Sequence, residues 1–140
     1  MAYSTAFSQA VSILLLIHVK MEEFRFEFVS AKVIAECLKA PVPTVVKILK
    51  SLNAAGITTT KEGAKGGVLL AKPISEITLL DVFLAIEHGT PLFKTQLDYF
   101  IENPQVDDLK SKVINCLQDA EKAMKDSLKN TTLADIYKLR

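Results

Sequence analysis

Cysteine, arginine, glycine, proline and tryptophan are all scarce in this chain of 140 residues, and each shortage removes a class of protein. Two cysteines, Cys37 and Cys116, cannot build a disulfide framework and suit a reducing compartment. Five glycines and five prolines exclude collagen-like and low-complexity chains. The histidines, His18 and His88, stand seventy residues apart without further ligands at metal spacing, so no metal and no other cofactor is expected. No nucleophile, base and orienting acid form a set, which argues against an enzyme. The densest apolar run, Ile13–Ile17, has five residues, where a membrane span needs about twenty. No cationic residue precedes that run and no cleavage site follows it, so a cytoplasmic protein without a membrane partner is expected.

What is present is an ordinary globular composition, 49% apolar and 24% charged, sufficient for one core. The formal charge of +1 hides an uneven distribution. From Ser30 to Pro73 seven lysines (32, 39, 47, 50, 61, 65, 72) stand against Glu36 and Glu62, a local +5, while the flanks carry −1 and −3. A basic middle between acidic ends fits a local nucleic-acid face, and equally a solvated lysine-rich surface.

Ser4 is placed to cap a helix reaching about Lys20, with Phe7, Ala10, Val11, Leu14, Ile17 and His18 at helical spacing. Leu15, Leu16 and Val19 carry the apolar surface further round, so more than its own small domain is expected to cover this helix. Phe24-Arg25-Phe26-Glu27-Phe28 alternates like a short half-buried strand or extended link, its rings read as core rather than as a stacking platform for bases. Ser30 caps a helix over 31–39 whose inward face is Ile34, Cys37 and Leu38. Ala40-Pro41-Val42 breaks it, Pro43 opens a third helix to about Ala55, and Gly56 ends that helix. Val45, Ile48, Leu49 and Leu52 form its buried stripe, with Thr44, Lys47, Lys50, Ser51 and Ala54 opposite.

Residues 57–60 and 68–71 read as the strands of a hairpin around a glycine-rich loop. Thr78 caps a fourth helix over 79–87, and Gly89 to Pro104 is irregular. From about Val106 to Lys129 runs a long helix, which Asp107 and Asp108 open where negative charge suits its dipole. Its Val106, Leu109, Val113, Cys116, Leu117, Ala120, Met124 and Leu128 form an apolar seam suited to antiparallel pairing with a second copy. Thr132 caps a last turn over 133–136. Cys37 and Cys116 are both read as small buried hydrophobes.

Helix, turn, helix and then a hairpin with a basic tip is the order of a winged helix-turn-helix. The expected fold class is therefore mainly α with a small β-hairpin wing, followed by a long C-terminal dimerisation helix. Its expected division is a DNA-binding domain over 1–89, a connecting loop over 90–105, and the dimerisation helix and tail over 106–140. The second helix of the motif must enter a major groove about 12 Å wide. Pro43, Thr44, Val46, Lys47, Lys50 and Ser51 lie on it, with Val46 suited to a thymine methyl. Ser30 and Lys32 begin the preceding helix, whose free N–H groups suit a phosphate. Lys61 and Lys65 flank Gly63 and Gly66, which let backbone approach DNA closely. The same loop superficially resembles a nucleotide phosphate-binding loop, yet it lacks the glycine-lysine-serine/threonine ending and leads into a strand.

Several glycines at fixed offsets make a more specific pattern. The run from Leu52-Asn53-Ala54-Ala55-Gly56 through Gly63-Ala64-Lys65-Gly66-Gly67-Val68-Leu69-Leu70-Ala71 to Ile77-Thr78-Leu79-Leu80-Asp81-Val82 resembles the BadM/Rrf-type family of bacterial winged-helix regulators. Ser30-Ala31-Lys32-Val33-Ile34-Ala35 is similar to that family's first motif helix, and Thr132-Leu133-Ala134-Asp135-Ile136 to its tail. The family includes regulators of iron–sulfur cluster assembly and of cysteine metabolism. Many members hold a cluster by three cysteines before the long helix; residues 88–106 here contain none, so no cluster is expected. Family wings often carry arginine beside the first glycine for the minor groove, whereas Glu62 stands here and only Arg25 and Arg140 occur in the chain. Wing lysines are therefore expected to act mainly through phosphates.

The resemblance implies a sequence-specific DNA-binding transcription regulator, a repressor acting as a homodimer on a pseudo-palindromic stretch of double-stranded DNA. The alternative is a winged helix whose main work is sensing a small molecule or a protein. Phe93, Tyr99 and Phe100 give Gly89–Pro104 the aromatic content that such a site, or a lid on the dimer core, would use.

Overall fold

The computed structural model describes residues 5–63, 66–95 and 103–139. Its elements are α1 (Ala6–Glu22), α2 (Ala31–Leu38), α3 (Val42–Ala54), β1 (Thr58–Lys61), β2 (Gly67–Leu70), α4 (Leu79–Glu87), α5 (Pro104–Lys129) and α6 (Leu133–Tyr137), with one 3-10 turn at Ile74–Glu76. Mainly helical architecture with one two-stranded antiparallel hairpin matches the expected fold class.

α1 is the hub of the core. Its Ala10, Ile13, Leu14 and Ile17 recur at helical spacing and are fully buried. α2, α3, α4, α6 and β2 all pack on it, and Phe7 meets Phe83 of α4 edge-on with ring centres 5.5 Å apart. Leu15, Leu16 and Val19, which carry the apolar surface further round α1, stay half-buried in the single chain. Ser4, the expected cap, lies outside the described residues; Thr5 holds the N-cap position without a side-chain bond.

Ser30 caps α2 as expected, its hydroxyl accepting the Val33 N–H at 3.1 Å. Ile34 and Ala35 are buried and Leu38 half-buried, whereas Cys37 is exposed, which corrects its assignment to the core. The stripe centres between positions 34, 35 and 38, and a 3.6-residue period leaves position 37 on its solvent side. Lys39 turns the chain with a left-handed φ of +53°. α3 buries Val45, Ile48, Leu49 and Leu52 and ends in a Schellman cap. The Gly56 N–H donates to the Asn53 carbonyl and the Ile57 N–H to the Leu52 carbonyl, both at 3.0 Å. Gly56 makes this closure possible with φ +76°.

In the hairpin Thr58 pairs with Leu70 and Thr60 with Val68. Val29 adds a single pairing on the far edge of β2, exchanging N–H···O bonds with Val68 at 2.9 and 2.8 Å. A Cβ on Gly67 would lie 2.7 Å from the Val29 carbonyl, so only glycine admits that third strand segment. Phe24 and Phe26 do not reach the core. Phe24 is 60% exposed, and the Lys20 ammonium lies 4.9 Å from its ring centre and 5.4 Å from that of Phe26. Arg25 between them has φ +59°, and a left-handed residue destroys the two-residue alternation that a strand needs. Phe28 alone is half-buried.

Two matching capping boxes close the domain. Thr78 and Asp81 bridge the start of α4, Thr132 and Asp135 that of α6. The two caps pair with each other: Leu79 N–H donates to the Thr131 carbonyl and Leu133 N–H to the Ile77 carbonyl, each at 2.9 Å. Leu133 is thereby fully buried, and Tyr137 Oη donates to Glu23 at 2.7 Å, fastening α6 onto α1. Leu133→Ala is expected to cost about 2–5 kcal/mol, read from urea unfolding. The Thr132 backbone N–H, then its hydroxyl, hold the Asp135 carboxyl below the usual aspartate range. Because the folded pKa is lowered, that stabilisation is complete above about pH 4 and is lost as pH falls through the lowered value. Asp135→Asn should remove this acid limb from the unfolding profile; an unchanged profile would contradict the assignment.

Candidate nucleic-acid interface

Burial of one stripe of α3 decides what the opposite side shows. Pro43, Val46, Lys47 and Lys50 are exposed, and Thr44 and Ser51 lie half-buried at the margin of that face. Beside Thr44, Lys47 and Ser51 opens a cavity of about 440 Å³, also lined by Gln9 of α1 and by His88 at the end of α4. Its walls contain no carboxylate, so the flank of α3 suits an anionic oxygen. Ser30 uses its side chain as the α2 cap, which leaves the first helical N–H groups and exposed Lys32 turned outward.

In the wing, Lys61 is exposed, with its ammonium 3.7 Å from Glu27 and 5.1 Å from the Phe28 ring centre. An exposed pair of this kind is weak and yields readily to a stronger anion. Glu62 and Gly63 are exposed, and Gly63 has φ +118°. Gly66 serves the wing itself: a Cβ there would lie 2.2 Å from the Lys61 carbonyl. Lys65 lies outside the described residues. β1 packs on α3, so the base of the wing adjoins that helix. Glu27 and Asn53 are the neighbours that the sequence did not reveal; Asn53 contacts both Thr58 and Thr60 of β1. A helical wheel for α3 places Asn53 only as a margin position, and no motif marks it.

The seam of α5 divides in two. Val106, Leu117, Met124 and Leu128 are half-buried on its inner side. Leu109 (61% exposed), Val113 (45%), Cys116 and Ala120 form a separate exposed row. No residue of α5 is buried in the single chain, and Cys116 is exposed there because it falls on the outer row. Away from that row lie the ion pairs Lys112–Asp108 at 2.9 Å and Lys122–Asp126 at 2.8 Å. The segment after α4 is tied to this helix, the Leu92 N–H donating to Glu121 at 2.8 Å. Phe93 is half-buried; Tyr99 and Phe100 lie outside the described residues. Among the described residues no helix is long and apolar enough to cross a membrane.

The Rrf2 family profile, described as an iron-dependent transcriptional regulator, matches residues 3–139. YffB of Lactococcus lactis subsp. lactis, named as an HTH-type transcriptional regulator, is 30% identical over 138 residues, covering 97% of this chain and 86% of its own length. The fold is similar to that of CymR, the global cysteine regulator of B. subtilis, with a TM-score of 0.70 at 22% identity, covering 100% of this chain and 98% of that one. It is likewise similar to T. potens IscR, with a TM-score of 0.70 at 22% identity, covering 99% of this chain and 87% of that one. These relatives are regulators, not enzymes.

The family description implies iron, and the donors present do not fit it. An iron–sulfur cluster needs thiolate ligands converging on one site. This chain has two cysteines, one on α2 and one on α5. Among the described residues no three His, Cys, Asp or Glu side chains are grouped to hold a metal. Anaerobic reconstitution with iron and sulfide is expected to produce no visible cluster absorbance and no change in DNA affinity. A stoichiometric cluster spectrum would overturn this.

Proposed function

This chain belongs to the Rrf2 family of transcriptional regulators, and from that membership we propose that it represses transcription as a homodimer on a pseudo-palindromic operator. The observation that carries the reading is a pair of faces left open by one fold. The α3 row of Val46, Lys47 and Lys50 lies outside the core, and the α5 row Leu109, Val113, Cys116 and Ala120 is exposed in the single chain. Residues 1–89 supply the DNA-binding unit and residues 106–140 the pairing helix and tail, in the cytoplasm. Pro43, Thr44, Val46, Lys47, Lys50 and Ser51 enter the major groove; Ser30, Lys32, Lys61, Gly63, Lys65 and Gly66 meet backbone phosphates.

The outer row also sets a register. Leu109, Val113, Cys116 and Ala120 are spaced four, three and four, so an antiparallel copy brings Leu109 opposite Ala120 and Val113 opposite Cys116. Val113→Cys should therefore form an intersubunit disulfide with the native Cys116 of the second copy under mild oxidation, faster than the wild type does. Equal rates, or a chain monomeric at micromolar concentration, would refute this pairing.

Affinity for operator DNA should fall steeply with salt. About six lysine–phosphate contacts per dimer imply a log–log slope of about −5. Lys47→Ala should weaken specific binding more than non-specific binding, and Lys65→Ala both alike. Glu27→Gln, which frees Lys61 from its exposed carboxylate, should raise affinity about two- to fivefold. Equal losses for the two lysine variants would remove the proposed division between base and phosphate contacts.

The tether from Leu92 to Glu121 favours a second role on the same chain: an effector bound beside 89–95 would reach the pairing helix directly. A thermal-shift screen with metabolites tests it, since a true effector raises the melting temperature by mass action.

A further inference from the structure

We propose that Asn53 is a positioning residue that sets the angle of the wing to the recognition helix, so that α3 and the wing engage DNA in one register. The inference rests on the DNA-binding reading above and adds to it a residue that contacts no base. Thr58 is the one polar side chain fully buried among the described residues, 3% exposed. Its hydroxyl donates to Asn53 Oδ1, while Asn53 Nδ2 donates to Thr60 Oγ1 at 2.7 Å. Thr58 and Thr60 lie on the same face of β1, so a single amide from the last turn of α3 spans two alternate rungs of the wing, with Thr59 between them. Between clasp and strand stands Gly56, at φ +76°, with nothing within 4 Å of where its Cβ would be. The joint is therefore a glycine with open space around it. Buried Ile57 and the Val29 pairing anchor the base of the hairpin, and the Asn53 amide adds the side-chain hydrogen bonds that join the last turn of α3 to β1.

Removing that amide leaves the buried Thr58 hydroxyl without its acceptor and lets β1 swing against the last turn of α3, within the hold that Val29 keeps on β2. Swinging does not touch Val46, Lys47 or Lys50, whose positions follow from the buried stripe of α3. Loss of Asn53 should thus separate two halves of one interface rather than abolish it.

The test compares wild type, Asn53→Ala, Asn53→Asp and Thr60→Val, first without DNA. Amide hydrogen exchange of Thr59 and Lys61, whose N–H groups face β2, should accelerate in Asn53→Ala while α1 and α4 keep their protection. Asn53→Asp retains an oxygen acceptor for both hydroxyls and should restore slow exchange. On operator DNA, hydroxyl-radical protection under the wing should fade while protection under α3 persists. Affinity should drop about two- to tenfold and the salt slope should become shallower. Unchanged wing exchange in Asn53→Ala overturns the proposal, as does uniform loss of protection under helix and wing together. If the wild type binds no duplex at low salt, the DNA-binding reading fails, and the exchange arm still decides whether Asn53 holds the wing.

Discussion

The packing of α3 against the core through Val45, Ile48, Leu49 and Leu52 is the contact on which the rest of the molecule depends. Each of these side chains contributes about 1.5–3 kcal/mol by leaving water. Their removal from solvent also fixes the rotation of the helix about its own axis. Once that rotation is set, Val46, Lys47 and Lys50 face outward without any further instruction. Stability and the exposed surface of α3 are two consequences of one helical period.

The core that receives α3 is organised around α1. A small domain of this size has little interior, and a central helix lets one apolar cylinder serve several neighbours. The C-terminal tail then returns to the same core through the paired caps at Thr78 and Thr132 and through buried Leu133. Because the tail is anchored there, α5 cannot drift from the domain, and its inner row rests partly on α4. What stays outside is the row from Leu109 to Ala120. The geometry that fastens the long helix also selects which of its apolar residues remain for another molecule.

Much of this was legible in the chain itself. Ser30, Thr78 and Thr132 announce helix starts because a short hydroxyl side chain satisfies a backbone donor that no other neighbour can reach. Gly56, Gly66 and Gly67 mark positions where a side chain would strain the backbone or collide with it. The family resemblance rests largely on those same positions, and the profile match over residues 3–139 agrees with it. Less legible was anything that depends on direction rather than type. The alternating phenylalanines after α1 looked like strand, yet one left-handed residue, Arg25, turned their rings to solvent. Cys37 sat near an apolar stripe and outside it. The seam of α5 read as one surface and is two.

The amino-acid order by itself determined the helices, the caps at Ser30, Thr78 and Thr132, the wing and the basic stretch from Ser30 to Pro73. Those features follow from interactions between residues a few positions apart, which linear spacing records. Tertiary structure alone decided that Asn53 meets Thr58 and Thr60, that Glu27 stands beside Lys61, and that Leu133 enters the core beside Ile77. Each of those contacts depends on how the chain turns between elements. A turn taken at a single glycine or a single left-handed residue changes which surfaces face each other, and sequence spacing carries no term for it.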